Sequence, residues 1–271
     1  MIRRAFLSID ILILAMIFSG SLAVTGDVSE AYAGEESSEK SLELPDTDRK
    51  ALAILGKGVV GRALAAVPIK DSAKLMPLKA GKWTYQIVSG SRVGERQEDF
   101  IERPKHDSTG RSWRRIVGKK FIEYFRVDDR KRIDLASEAD LVEDVITQYA
   151  PSFAVIVDGM RPGETRSVQT DIKVYDLHNP SHEKYKGLLR VTHTYVGAYE
   201  LVVPAGRYRA VLIKSTYNGK VGPATVNDVG YVFYAAGEGI VAAVARAHVS
   251  AFLFYDKRTR TAKVLMRRET Y

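Results

Sequence analysis

Five histidines and a few paired carboxylates are the residues whose types could support acid–base, nucleophilic or metal chemistry. His178 and His182 stand four apart, a spacing that puts two ligands on one helix face, but Asn179-Pro180 between them forbids the helix. What remains is a loop, and its plainer reading is a solvated turn. His193, in Arg190-Val-Thr-His-Thr-Tyr195, would share a strand face with Val191 and Tyr195. His248 lies between Ala247 and Val249. Both read more readily as satisfied core or rim residues than as catalysts. No Gly-x-Ser-x-Gly elbow is present, and Ser89-Gly-Ser91 reads as a turn. Asp128-Asp129 and Glu143-Asp144 are adjacent pairs whose side chains point apart, as solvated turn residues do. The chain has no cysteine. That excludes thiol catalysis, disulfides, Cys-ligated metal and a lipidated cysteine within this sequence. No catalytic residue, metal site or cofactor is therefore assigned, and a cryptic hydrolase using His193 or His248 stands only as an alternative.

Charge and aromatic content carry more. Lys and Arg number 41 against 33 Asp and Glu, a formal net charge of +8. Between Arg111 and Arg132 nine basic residues face three acids, and between Asp256 and Glu269 six face two. The first stretch defines a basic surface of Arg111, Arg114, Arg115, Lys119, Lys120, Arg130, Lys131 and Arg132, interleaved with Trp113, Phe121, Tyr124 and Phe125. Such stripes attract polyanions. The plainer alternative is solubility, with the charges outward on strands and turns. Tyrosines concentrate toward the C-terminus. Tyr195, Tyr199, Tyr231 and Tyr234, with His193, form the candidate ligand-binding set, because Tyr offers an apolar body and a polar tip.

The start of the chain sets the compartment. Arg3 and Arg4 precede an apolar run, Ile11 to Phe18, too short to span a bilayer. Small-x-small sites follow at Ser21-Leu22-Ala23 and Ala31-Tyr32-Ala33. Residues 1–23 read as a signal peptide, with cleavage after 33 as the alternative, and export makes an envelope surface a likelier partner than nucleic acid. No stable transmembrane segment is expected after cleavage. Residues 34–76 read as a polar tether and a short amphipathic helix, with Asp46 or Thr47 as N-cap and Leu52, Leu55, Val59 and Ala63 at helical spacing.

From residue 77 to 271 the texture is that of one antiparallel β domain. Alternating stretches rich in Val, Tyr, Phe, Thr and Ile recur every eight to twelve residues, separated by turn groups such as Arg161-Pro-Gly, Pro204-Ala-Gly and Asn218-Gly. Leu141 to Val157 is ambiguous between helix and strand. The second half reads as strands over 165–175, 185–196, 199–203, 208–217, 229–234, 239–255 and 261–268. The fold class is mainly β, an antiparallel barrel or half-barrel with a short N-terminal helix.

Two segments carry a resemblance. Val202-Val-Pro-Ala-Gly-Arg-Tyr208 and Gly230-Tyr-Val-Phe-Tyr-Ala-Ala-Gly-Glu-Gly-Ile-Val241 together resemble a group of uncharacterised bacterial periplasmic β-barrel proteins, broadly similar to envelope lipoprotein-carrier folds. The resemblance implies fold and compartment and supplies no catalytic residue. The sequence thus points to a non-enzymatic periplasmic protein that binds an apolar or amphiphilic ligand such as lipid, or an anionic envelope component. A structural interaction module with a filled core is the alternative.

Overall fold

The computed structural model describes residues 41–105, 107–251 and 255–271. The leader and the first part of the tether lie outside these residues. Helix α1 spans Asp46–Leu52 and tightens into a 3₁₀ turn at Ala53–Leu55. Strand β1 (Val60–Leu64) and a one-turn helix α2 (Ser72–Leu75) follow. Twelve strands complete the chain: β2 Gly81–Ser89, β3 Arg96–Glu102, β4 Ser112–Val117, β5 Phe121–Val127, β6 Ile133–Asp140, β7 Val145–Ala154, β8 Thr165–Asp176, β9 Glu183–Val203, β10 Gly206–Val221, β11 Ala224–Ala235, β12 Gly239–Ala251 and β13 Tyr255–Thr270.

From β2 to β13 each strand pairs antiparallel with its sequence neighbour. β13 also pairs with β2, and β8 with the first half of β9, so β2 to β13 close into a twelve-stranded antiparallel barrel. β1 adds to the second half of β9. Period-two alternation builds the wall. In β5, Phe121, Glu123 and Phe125 are buried while Ile122 and Tyr124 are only half-buried.

Local chemistry moves several boundaries from where periodicity put them. The helix stops at Leu55 because Gly56 (φ 111°) and Gly58 (φ 82°) turn the backbone left-handed, so Val59–Ala63 run into β1 instead of continuing α1. The stretches 185–196 and 199–203 are one strand, interrupted only by a bulge: Leu212 faces Gly197, and Ile213 faces Tyr195. Asn218-Gly219 is not a turn either. β10 runs through it to Val221 and turns at Gly222 (φ 55°). Gly219 is required by proximity, since a Cβ there would lie 2.3 Å from the Leu188 carbonyl oxygen. The ambiguous segment resolves into a hairpin turn and β7. Asp140 Oδ1 caps that turn by accepting the amides of Val142 (2.8 Å) and Glu143 (3.1 Å).

Two apolar clusters hold the structure. The first fills the barrel interior with Phe121, Phe125, Phe153, Tyr195, Tyr217 and Tyr234, joined by Ala66, Ile69, Leu75 and Met76 from the segment before β2. That segment plugs one end. Ile69 N–H reaches the Met160 carbonyl at 2.9 Å, Ser72 N–H reaches Asp158 Oδ1 at 2.6 Å, and the Lys74 carbonyl accepts Gly237 N–H at 2.7 Å. Residues 60–76 therefore belong to the barrel body, although their sequence reads as tether and helix. The second cluster seats Ala51, Leu52 and Leu55 against Tyr199, Leu201, Tyr231, Phe233 and Val244. Among the described residues no helix is long and apolar enough to cross a membrane.

One polar contact fixes α1 to the wall. Asp48 is buried, and its Oδ1 accepts from Lys214 Nζ at 2.7 Å and from the Tyr231 hydroxyl at 2.9 Å. Asp48→Ala removes an acceptor shared by a cation and a phenol. It is expected to cost about 1–3 kcal/mol, read as a lower midpoint in urea, with earlier proteolytic cleavage in residues 46–60. An unchanged midpoint would show that the apolar contacts alone hold the helix.

Candidate functional site

The five candidate ligand residues do not converge. Tyr195, Tyr234 and His193 face the interior, whereas Tyr199 and Tyr231 belong to the cluster beneath α1. The bulge at Gly197 is the cause, because it moves Tyr199 to the opposite face from Tyr195. The basic surface is also divided. Lys119 and Lys120 sit in the β4–β5 turn, with Arg111, Arg130, Lys131 and Arg132 at the other end of those strands. Arg111 pairs with Asp129, Arg114 with Glu102, and Arg132 with Asp134. Arg115 is no surface residue. It shares a face with Val117 and is buried in the barrel.

Inside, the wall carries a ladder of ionisable side chains, one strand to the next. Lys263 on β13 lies 3.9 Å above the Tyr85 ring and 3.2 Å from Asp99 Oδ2. Asp99 Oδ1 also accepts from Gln97 Nε2 (2.9 Å) and from the Gly118 amide (3.1 Å). Arg115 pairs with Glu123, its cross-strand neighbour, and stacks 5.4 Å above the Phe125 ring. Glu123 in turn faces Glu138 across β5 and β6. Every one of these charged groups is at most 3% exposed. Burial pushes Lys263 down to about 7 and Glu123 up to about 7. It raises Glu138 well above the usual carboxylate range, with the Glu123 charge adding to it. Neither Glu138 carboxylate oxygen has a hydrogen-bond partner among the described residues. The ladder was legible in principle, since Phe121-x-Glu123-x-Phe125 and Trp113-x-Arg115-x-Val117 place a charge on the apolar face of a strand.

The interior also holds a serine–histidine contact: His193 Nδ1 lies 2.8 Å from Ser215 Oγ. Burial pushes this imidazole down to about 4. Its Nε2 has no partner among the described residues, so no carboxylate orients it. The space beside the pair, lined by Glu123, Phe153, Tyr217 and Tyr234, amounts to about 20 Å³. That admits a water and no substrate. His178 and His248 pair with Asp144 (3.2 Å) and Asp256 (3.1 Å) on the exterior. Among the described residues no three His, Asp or Glu side chains gather as metal ligands.

One accessible recess opens at the end of the barrel that carries the β2–β3 and β4–β5 turns. Its volume is about 290 Å³, and it has Ile87, Val117 and Phe121 as its floor, with Gln97 and Gly118 beside them. Ser91 and Arg92 from the β2–β3 turn, Lys120, and Arg258 to Thr261 of β13 form its rim. The two basic stretches of the sequence meet here. Four cations and no acid line the recess. Arg92 pairs with Glu95 (2.7 Å) and Arg258 with Asp256 (3.2 Å), which still leaves the mouth positive.

Two substitutions test the interior. Arg115→Met strips Glu123 of its compensating charge and is expected to cost about 3–5 kcal/mol. Arg115→Met with Glu123→Leu should recover most of that in a denaturant cycle. A double variant as weak as the single one would show that Arg115 acts through packing. Glu138 has a raised folded-state pKa, so the stability it withholds grows as pH rises above the unfolded carboxylate value near 4.5. Glu138→Gln should therefore raise the melting temperature at pH 8, at about 2–4 °C per kcal/mol relieved, and leave it unchanged at pH 4. An equal gain at both pH values would exclude ionisation as the cause.

No protein-family model matches the chain, and no curated protein matches it. Among solved structures, it is similar to a protein with YmcC-like fold from Bacteroides fragilis: 15% identity, TM-score 0.37, covering 74% of this chain and 98% of that one. It is likewise similar to the hypothetical lipoprotein YmcC from Escherichia coli: 10% identity, TM-score 0.37, covering 71% and 89%. Likenesses this distant carry no argument about activity.

Proposed function

We propose that this protein is an exported, non-enzymatic β-barrel that docks an anionic envelope component at the recess between β13 and the β4–β5 turn. The carrying observation is the meeting of both basic stretches over an apolar floor of Ile87, Val117 and Phe121. Cations at a rim attract an anion from a distance, and the floor beneath rewards burial of an apolar portion. The leader at Arg3 to Ala23 supports export.

The interior favours docking over carriage. Its largest groups are fully buried, and its charges already answer one another, so an acyl chain inside would have to displace Tyr85, Lys263 or the plug at 66–76. The Ser215–His193 pair is sealed from any substrate, which supports a non-enzymatic role. Reversing the rim with Arg92→Glu and Lys120→Glu should weaken binding of anionic probes at least tenfold while leaving the fold intact, since both side chains extend from turns. Retention of full affinity for both an acidic peptide and phosphatidylglycerol vesicles would sink the proposal.

A further inference from the structure

The recess opens among hairpin turns, and those turns carry apolar tips. Val93 stands in the β2–β3 turn, next to Arg92 of the rim, and is 63% exposed. Leu141 and Val142 open the β6–β7 turn at 38% and 54% exposed. The β4–β5 turn lies between the two. Its Gly118 N–H reaches the Glu98 carbonyl at 2.9 Å, and the Leu141 N–H reaches the Lys120 carbonyl at 2.8 Å, so neighbouring turns are held side by side. Lys119 and Lys120 occupy the middle turn. Both are exposed, and neither makes an ion pair among the described residues. Lys119 stands there at φ 59°, in a left-handed backbone where glycine or asparagine is the relaxed choice. One exposed apolar side chain is ordinary on a protein surface. Three at the tips of neighbouring turns, on both sides of an uncommitted lysine pair, form a pattern.

We propose that this end of the barrel settles on a membrane surface of anionic phospholipid, with Val93, Leu141 and Val142 entering the interface and the lysines and rim arginines meeting the headgroups. The inference rests on the docking reading above and names the partner. Separate apolar tips suit a fluid. A folded partner needs a fitted pocket for each tip, whereas the boundary between headgroups and acyl chains admits each one independently. Lysines beside the tips gain from the negative surface potential, and their apolar stems let the ammonium groups stay at headgroup level while the tips go deeper.

The acids of these turns are already engaged. Glu95 pairs with Arg92 at 2.7 Å, Asp144 pairs with His178 at 3.2 Å, and Asp140 accepts two amides of its own turn. Glu143 is likewise engaged. The opposite end is closed by the plug, and Arg111, Arg132 and Arg207 there are each paired with an acid. A second copy of this chain, set end to end on the same turns, would bring Lys119 and Lys120 against their own kind, and such like-charge contacts are unfavourable.

The test uses the chain from Val24 onward, which keeps every described residue and leaves the apolar leader out of the binding signal. Vesicles of phosphatidylglycerol and of phosphatidylcholine are the membrane probes, and an acidic peptide is the soluble anion. Sedimentation with vesicles gives affinity. The emission of Val93→Trp, taken as the difference from the unsubstituted chain, reads entry into the interface. The expected result is binding to phosphatidylglycerol and not to phosphatidylcholine, a blue shift of the Val93→Trp emission on the anionic vesicles, and a loss of about threefold or more in Val93→Ser/Val142→Ser from the apolar surface withheld. The serine variant should keep the melting temperature of the parent, which separates lost contact from lost fold. Vesicle binding that the serine variant leaves unchanged, with no emission shift, overturns membrane entry and leaves anion docking standing. Binding of the acidic peptide without binding of vesicles does the same. Binding of neither anionic probe overturns both readings.

Discussion

A ring of twelve strands encloses more volume than its inward side chains readily fill, because eight already make an interior just wide enough for side-chain packing. Much else in the molecule answers that constraint. Phe125, Phe153, Tyr195 and Tyr234 bring large aromatic groups inward. The segment 66–76 folds back as a plug and spans from the β7–β8 loop to the β11–β12 turn. Long charged side chains complete the filling. Arg115 and Lys263 lie along the inner wall on apolar stems, and each stacks on an aromatic ring while meeting a carboxylate. Their desolvation is offset only while both members of each pair stay in place, which makes the arrangement exacting about register. Glu138 departs from this rule, as a carboxylate held among other acids and facing no cation of its own.

With the interior filled, the accessible recess lies at the turn-bearing end. The floor of the recess is continuous with the inner packing, since Ile87, Val117 and Phe121 belong to the interior cluster. The rim, by contrast, is built from turns and from a strand end. One small region thus combines rigid apolar support with adaptable charge, the division of labour usual where loops on a stable scaffold bind partners.

Alternation along single strands was plain in the sequence, and so was the turn at Pro204-Ala-Gly206, because φ-restricted proline and permissive glycine leave local signals. The β class follows from equally local features. What escaped depends on pairs far apart in the chain. Continuity of β9 past Gly197 is decided by β10 opposite it, and Gly219 is held in a strand by the nearby Leu188 carbonyl. The ligand set failed for the same reason: a single bulge decides which wall face Tyr199 occupies. Treating the basic stretch as one surface ignored strand parity, which turns Arg115 inward while Arg114 stays at the exterior beside Glu102. The recess itself needed the third dimension, since Lys120 and Arg258 are joined only by ring closure.

The position of β13 between β12 and β2 has a consequence for how the chain acquires its shape. The first strand of the ring finds its second neighbour only in the last strand, and Lys263 meets Asp99 across 164 residues. Hairpins can form early and locally, but no closed barrel exists until the final strand arrives. Topologies dominated by such distant pairings fold slowly. A chain of this design stays open until β13 pairs with β2, so that strand works as the latch of the ring.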